Sequence, residues 1–331
     1  MINWGEYMLN LKKLQLSYNR YCENFVEIKF EDVEEEYIDS LNESTHIVKL
    51  NDVEKDHILL IDLDSIKSYY LSKWKEDVLI NHQKESENFK IIVMVIFHQC
   101  MGQNLYKSRY PKMALEYSYK EVIMTLIHFT MFGWKKEEEI LYNFIVEHIE
   151  SRWIDMNDFN KHTWFLLELY LQFRDKKILG TNQHLNVVVR EQFKSSNIEY
   201  GLIPEDLDIY SEVLNQWKTT KLEEIEPLIS KMSIFHSVFA SEIGESIEFG
   251  DFGYGFYPYE ILFLLFVRKK NGLLIPEEFN DFLMNTPEAK MRIRDPELYP
   301  EWDPLLKLVD SFYRKKYTEY IPNIHGELFR N

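Results

Sequence analysis

Glycine and proline are scarce in this chain, 11 and 10 among 331 residues. Tight reversals and left-handed backbone angles draw on those residues, so sparse punctuation favours long helices joined by short connections. Apolar spacing agrees. Over 112–134 the apolar residues Met113, Leu115, Tyr117, Val122, Leu126, Phe129 and Phe132 include a run from Val122 at three- and four-residue spacing, and Gly133 stands where a left-handed cap would close a helix. A second helix is expected over 137–149, with Ile140, Leu141, Phe144, Ile145, His148 and Ile149 on one face. Its first turn holds Glu137, Glu138 and Glu139, where the helix dipole favours negative charge. The two predict an antiparallel hairpin.

Asp158 is placed to cap a helix over 159–177, apolar nearly all round and ending in Arg174, Lys176 and Lys177. Further helices are predicted over 185–195, 204–219 and 222–240, the last crossing Pro227, which could instead restart a helix. The run 258–270 is apolar on almost every side, and Asp303 before Pro304 reads as a cap opening 304–316. WFLLELYLQFRDKK and YEILFLLFVRKKNG echo each other, as two similar helical halves would. In the first ninety residues, FVEIKF, HIVKL and HILLIDL fit a strand or a buried helix equally, which allows a small β hairpin or sheet. The expectation is a predominantly α fold, a multi-helix bundle of antiparallel helical hairpins. An N-terminal α or α+β subdomain is assigned to 1–90 and a helical domain to 91–331.

The charge balance narrows the partners. With 38 Lys plus Arg against 55 Asp plus Glu, the net charge of −17 opposes attraction to nucleic acid or an anionic membrane. It favours a basic protein partner, although acidity also serves solubility alone. Cys22 and Cys100 are far apart and supply neither a disulfide framework nor a CxxC site, which fits a reducing compartment. Glu6, Asn10, Lys12 and Lys13 interrupt any signal-peptide core, and no apolar run reaches bilayer length, so a cytoplasmic location and no membrane span are expected.

Candidate chemistry is thin. Asp62 and Asp64 in LLIDLDSI resemble the paired aspartates of haloacid-dehalogenase-like phosphotransferases, which use one carboxylate as nucleophile, another as proton donor, and Mg²⁺. Ser65 and Ile66 depart from that pattern, and capping of the following aromatic helix is the simpler role for either aspartate. None of the ten histidines forms HExxH or a repeated His and carboxylate pair on one helix face. His98, His128 and His162 read as core imidazoles. GDFGYGF lacks the Lys and Ser or Thr of a phosphate loop and carries Asp251, with Glu248 just before it. No cofactor, metal or nucleophile is implied.

The stretch over 242–257, which contains ESIEFGDFGYGFY, instead has the makings of a recognition surface. Aromatic rings give contact area at low entropic cost, and carboxylates can meet Arg or Lys. The candidate partner-binding residues are Glu242, Glu245, Glu248, Asp251, Tyr254, Tyr257 and Glu260; packing of those rings onto the core is the competing reading.

His236, the acidic glycine-rich aromatic loop and FGYGFYPYEILFLL, in that order, resemble the Gly-Tyr loop and Glu-headed apolar helix of the PoNi immunity proteins. Those proteins bind and silence PoNe-type nuclease toxins delivered between bacteria. LEYSYKEVIMTLIHF is similar to the Tyr-Ser segment that opens a helix in their N-terminal half. The resemblance covers roughly 105–280 and implies an all-helical fold, no enzymatic activity and a protein toxin as ligand. Tyr254, Tyr257 and Glu260 carry over by position. The family's aspartate pair and Tyr-Pro-Asp-Leu ending are absent. The leading expectation is thus a non-catalytic immunity or adaptor protein that binds a basic partner. A metal-dependent phosphotransferase on Asp62 and Asp64, and a helical scaffold that self-assembles, as a homodimer for instance, are the alternatives.

Overall fold

In the computed structural model of the chain, residues 2–4, 7–27, 29–85, 87–110, 117–149, 154–179 and 183–330 are described. The order begins with β1 (Ile2–Trp4), β2 (Tyr7–Leu9), α1 (Leu11–Glu27), α2 (Phe30–Leu50) and α3 (His57–Lys75). A π-helical turn (Glu76–Ile80), α4 (Glu87–Arg109), β3 (Tyr117–Ser118), α5 (Tyr119–Phe132) and α6 (Lys135–His148) follow. Then come β4 (Ile154–Asp155), α7 (Lys161–Arg174), α8 (Leu185–Ser195), α9 (Ile209–Gln216) and α10 (Leu222–Ala240). After α11 (Tyr259–Lys270) and two 3₁₀ turns, α12 (Pro304–Lys316) and α13 (Ile321–His325) complete the chain. The fold is predominantly α.

Chain contacts define two compact units, one of Met1–Asn24 with Asp155–Met291, the other of Phe25–Ile154 with Arg292–Asn331. The division therefore does not fall at residue 90. That expected boundary lies inside α4, which packs along α3, because both helices bury apolar residues in the same unit.

In the unit built around 25–154 each helix from α2 to α6 packs on the next in the chain, with α12 laid against α2, α3 and α4. The HILLIDL run expected to allow a strand is helical: Leu59, Leu63 and Ile66 recur at three and four residues and are all buried. FVEIKF forms no strand among its described residues: it ends α1 and opens α2, with Lys29 extended between them. The β element of the first ninety residues lies in front of those runs, where β1 and β2 pair antiparallel with Ile2 opposite Leu9. The hairpin of α5 and α6 turns at Gly133, whose φ of 72° is the left-handed cap foreseen. A side chain there would also press to 2.9 Å from the Asp295 carboxylate. Of the expected 112–134 helix, 112–116 lie outside the described residues, and Ser118 caps the observed start by accepting from Glu121 N. Asp303 caps α12 through Leu305 N and Leu306 N, as its place before Pro304 predicts.

In the other unit, α7 packs on α8, α9 and α11, and α10 on α9, α11 and β2. The echoing segments are α7 and α11, which pack against each other inside one unit and so are not two halves of the chain. Helix α7 starts at Lys161 because the Asp158 carboxylate turns back onto Asn160 N at 2.6 Å, an Asx turn that delays the first helical residue. Helix α9 is shorter than 204–219 for a similar reason. Asp206 accepts from Asp208 N, and Asp208 itself has a φ of 47°. Helix α10 runs unbroken through Pro227, which lies in its second turn, so the helix gives up the backbone bond that an N–H there would make to Glu223 O.

Candidate functional site

The segment from Ser241 to Pro258 connects α10 to α11 and holds most of the predicted partner-binding residues. Its glycines serve close packing. A Cβ on Gly255 would lie 2.5 Å from Asp251 O and 2.6 Å from Phe249 O, so the backbone itself fills the space a side chain would need. Phe249 is held at a φ of 58°, an uncommon angle for a bulky residue. Its buried ring is clamped between two imidazoles, 4.2 Å from His162 and 3.6 Å from His236 between ring centroids, both stacked.

Each imidazole has its own carboxylate. Glu248 accepts from His162 N at 2.7 Å and from His162 Nδ1 at 2.6 Å, while His162 Nε2 lies 2.7 Å from the Tyr259 hydroxyl. His236 Nε2 donates to Gly255 O at 2.9 Å, and its Nδ1 is hydrogen-bonded to the Glu260 carboxylate at 2.8 Å. Burial pushes the Tyr259 hydroxyl far above its ordinary range, reinforced by the nearby carboxylates. A carboxylate, a histidine and a hydroxyl in series follow the ordering of a nucleophilic triad. Here all three are buried with no exposed reacting atom, and what the array does is hold the loop.

This geometry revises the predicted surface. Glu248, Tyr254, Tyr257 and Glu260 are buried, Glu260 with 0% exposure, and cannot present their side chains to a partner in this conformation. Of the rest, Asp251 is half-buried and accepts from Tyr254 N at 2.7 Å, Glu242 pairs with Lys13, and Glu245 is exposed. The two buried glutamates meet histidines that approach from α7 and α10, contacts that spacing within the loop does not disclose.

Asp62 and Asp64 are both in α3, past its first turn, so neither sits at a strand end and neither caps the helix. They diverge. Asp62 is buried and accepts from Ser44 Oγ at 2.6 Å, whereas Asp64 is exposed, 2.8 Å from Gln99 Nε2 and 3.3 Å from Lys67. Two residues apart on a helix means roughly opposite faces, which does not suit joint work on one phosphate. Among the described residues no group of three or more His, Cys, Asp or Glu could hold a metal ion. No described helix is long and apolar enough to cross a membrane. His98, His128 and His148 are buried, and burial lowers each to about 4.

An anionic face emerges elsewhere, on α2. Tyr37 anchors that helix by stacking on Tyr69 at 4.7 Å and donating to Asp303 at 2.8 Å, with Ser44 and Ile47 buried behind it. Outward, Glu31, Glu35, Asp39 and Glu43 are all exposed at four-residue spacing, with Asp32 and Glu36 beside them and Ile38 47% exposed in their midst. None of these carboxylates has an ion-pair partner among the described residues. The signal was present in EDVEEEYID, whose acids fall on one stripe once the segment is helical. Comparison of the chain with protein-family models, with curated proteins and with solved structures found no match.

Proposed function

We propose that the chain is a non-catalytic immunity or adaptor protein that binds and neutralises a basic partner protein. A nuclease-type interbacterial toxin is the partner that the sequence resemblance implies. The observation that carries this reading is the unpaired stripe Glu31, Glu35, Asp39 and Glu43 on α2. Like charges four apart on a helix cost roughly 0.2–0.5 kcal/mol per pair, and nothing among the described residues offsets them. A sequence that keeps such a local conflict is drawing on it for something other than folding. An opposite charge on a partner would relieve the repulsion, speed encounter, and discriminate against anionic competitors. Ile38, exposed within the stripe, supplies apolar contact at its centre.

The adjacent gene's product is the partner to test first, by co-purification and by titration calorimetry at rising salt. Binding that weakens steeply with salt and is lost in Glu35→Lys/Asp39→Lys supports the reading. A neighbour that does not bind, or that binds the double variant as tightly, overturns it.

A further inference from the structure

A groove in the unit built around 155–291 has a different character from the α2 stripe. Its volume is about 630 Å³, within the range of small-molecule and side-chain pockets. Leu9, Leu11, Ile229, Ile234, Phe279 and Phe282 give it apolar walls, and Leu11 is 52% exposed there. Its charged lining is all of one sign. Glu226, Glu278 and Asp281 face it, and among the described residues that line it there is no Lys, Arg or His.

Asp281 is held in place. Ser233 Oγ donates to Asp281 Oδ1 at 2.6 Å and Met284 N donates to the same oxygen at 2.9 Å, leaving Oδ2 without a partner among the described residues. Glu226 and Glu278 are exposed and carry no ion pair. An immobilised carboxylate at an apolar wall meets a cation without having to be ordered first, which lowers the cost of binding. Apolar area alone would take any greasy ligand, and carboxylates alone any cation; together they select a cation carried on an apolar segment.

We infer that this groove seats a segment of the basic partner in which Lys or Arg alternates with aliphatic side chains, the cation meeting Asp281 and the exposed glutamates. The inference rests on the reading that the chain binds a basic protein, and adds a second contact site to the α2 stripe.

The full chain is titrated, by fluorescence anisotropy, with a labelled peptide of alternating leucine and lysine, and with leucine–glutamate and serine–lysine peptides of equal length. The leucine–lysine peptide is expected to bind, and Glu226→Lys/Glu278→Lys to weaken it at least tenfold. Ser230→Trp, an exposed position that would fill the groove, should do the same, while Glu35→Lys/Asp39→Lys leaves the peptide's affinity within twofold. Failure of the leucine–lysine peptide to bind, equal binding of the serine–lysine peptide, or groove variants within twofold of the parent would each overturn the inference. So would a concentration-dependent dimer that the groove variants dissociate, since a second copy would then be the occupant. The adjacent gene's product separates the two readings. Loss of its binding in the α2 variant alone sinks the groove and spares the function, and binding in neither parent nor variant sinks both.

Discussion

Two regions of this molecule are rich in carboxylates and aromatic rings, and they use them oppositely. Under the loop between α10 and α11, Glu248 and Glu260 are withdrawn from water and each meets a histidine. Along α2, Glu31, Glu35, Asp39 and Glu43 stand in solvent and meet no cation among the described residues. The free energy of a desolvated carboxylate is dominated by its partner, since burial without one costs several kcal/mol. That of an exposed carboxylate is dominated by water and by its like-charged neighbours. Acidic and aromatic composition therefore says little about where a binding face is. What separates the two cases is a histidine within reach.

The sharpest way to break the comparison is to take the histidine away. His236→Ala leaves Glu260 buried with no donor, because His236 Nδ1 is the partner of Oε1 and Oε2 has none among the described residues. Removing one member of a buried pair typically costs about 3–5 kcal/mol. Urea unfolding should show a loss of that size, and His236→Ala/Glu260→Leu should recover part of it. A single variant as stable as the parent would mean that the pair is not desolvated.

Buried imidazoles without a carboxylate partner of this kind behave differently, and pH exposes them. Burial lowers His98 and His128 to about 4; for His98, Asp310 opposes this in part and Arg314 adds to it. Between about pH 6.5 and 4 the unfolded chain binds protons at these rings and the folded chain does not. Stability is therefore fully present above that window and lost as pH falls through it. Each ring accounts for up to about 3 kcal/mol at the acidic end. Denaturant midpoints measured from pH 7.5 to 4.5 should fall across this range, and His98→Gln/His128→Gln should flatten the curve. An unchanged slope in that variant would reassign the acid sensitivity to other groups.

Much of this architecture is legible in the sequence wherever structure is local. Helices α8, α10 and α12 follow from periodicity with their predicted limits, and Asp303 and Gly133 mark ends by cap chemistry that needs only neighbouring residues. Where a short-range side-chain contact competes, as at Asp158 and Asp206, the helix is shorter than its apolar pattern. The candidate site is less legible because its decisive contacts are remote. His162 and Glu248 are 86 residues apart, and spacing along one element cannot show that they meet. The α2 stripe is the converse: its four-residue spacing is readable, but its lack of cations is a property of the folded surroundings.

Asp62 lies between the two extremes, buried yet paired only with a hydroxyl. Burial raises it to about 6, Ser44 lowers it in part, and Glu43 raises it. The folded state therefore binds this proton more readily than the unfolded one, and stability is lost as pH rises through about 6. Asp62→Asn keeps an acceptor for Ser44 and removes the buried charge. It should stabilise by about 1–2 kcal/mol at pH 8 and by progressively less towards pH 4. A loss of stability at pH 8 would show that the ionised carboxylate stabilises the fold where it is, and would sink this account of its burial.

The smallest effect tests the α2 face itself. Asp39 stands four residues from both Glu35 and Glu43, so Asp39→Lys turns two repulsive pairs into attractive ones. Attraction replacing repulsion in each pair is worth a few tenths of a kcal/mol, giving a gain of roughly 0.5–1 kcal/mol. The gain should shrink in high salt, because the side chains are exposed and screened. On the binding reading the same substitution weakens the partner complex at low salt, so stability and affinity move in opposite directions at one position. That opposition is the signature of a residue retained for recognition. If Asp39→Lys instead lowered the thermal midpoint, the stripe would be held by cations that its exposure conceals, and the contrast between carboxylates that meet a histidine inside and carboxylates left to solvent outside would collapse.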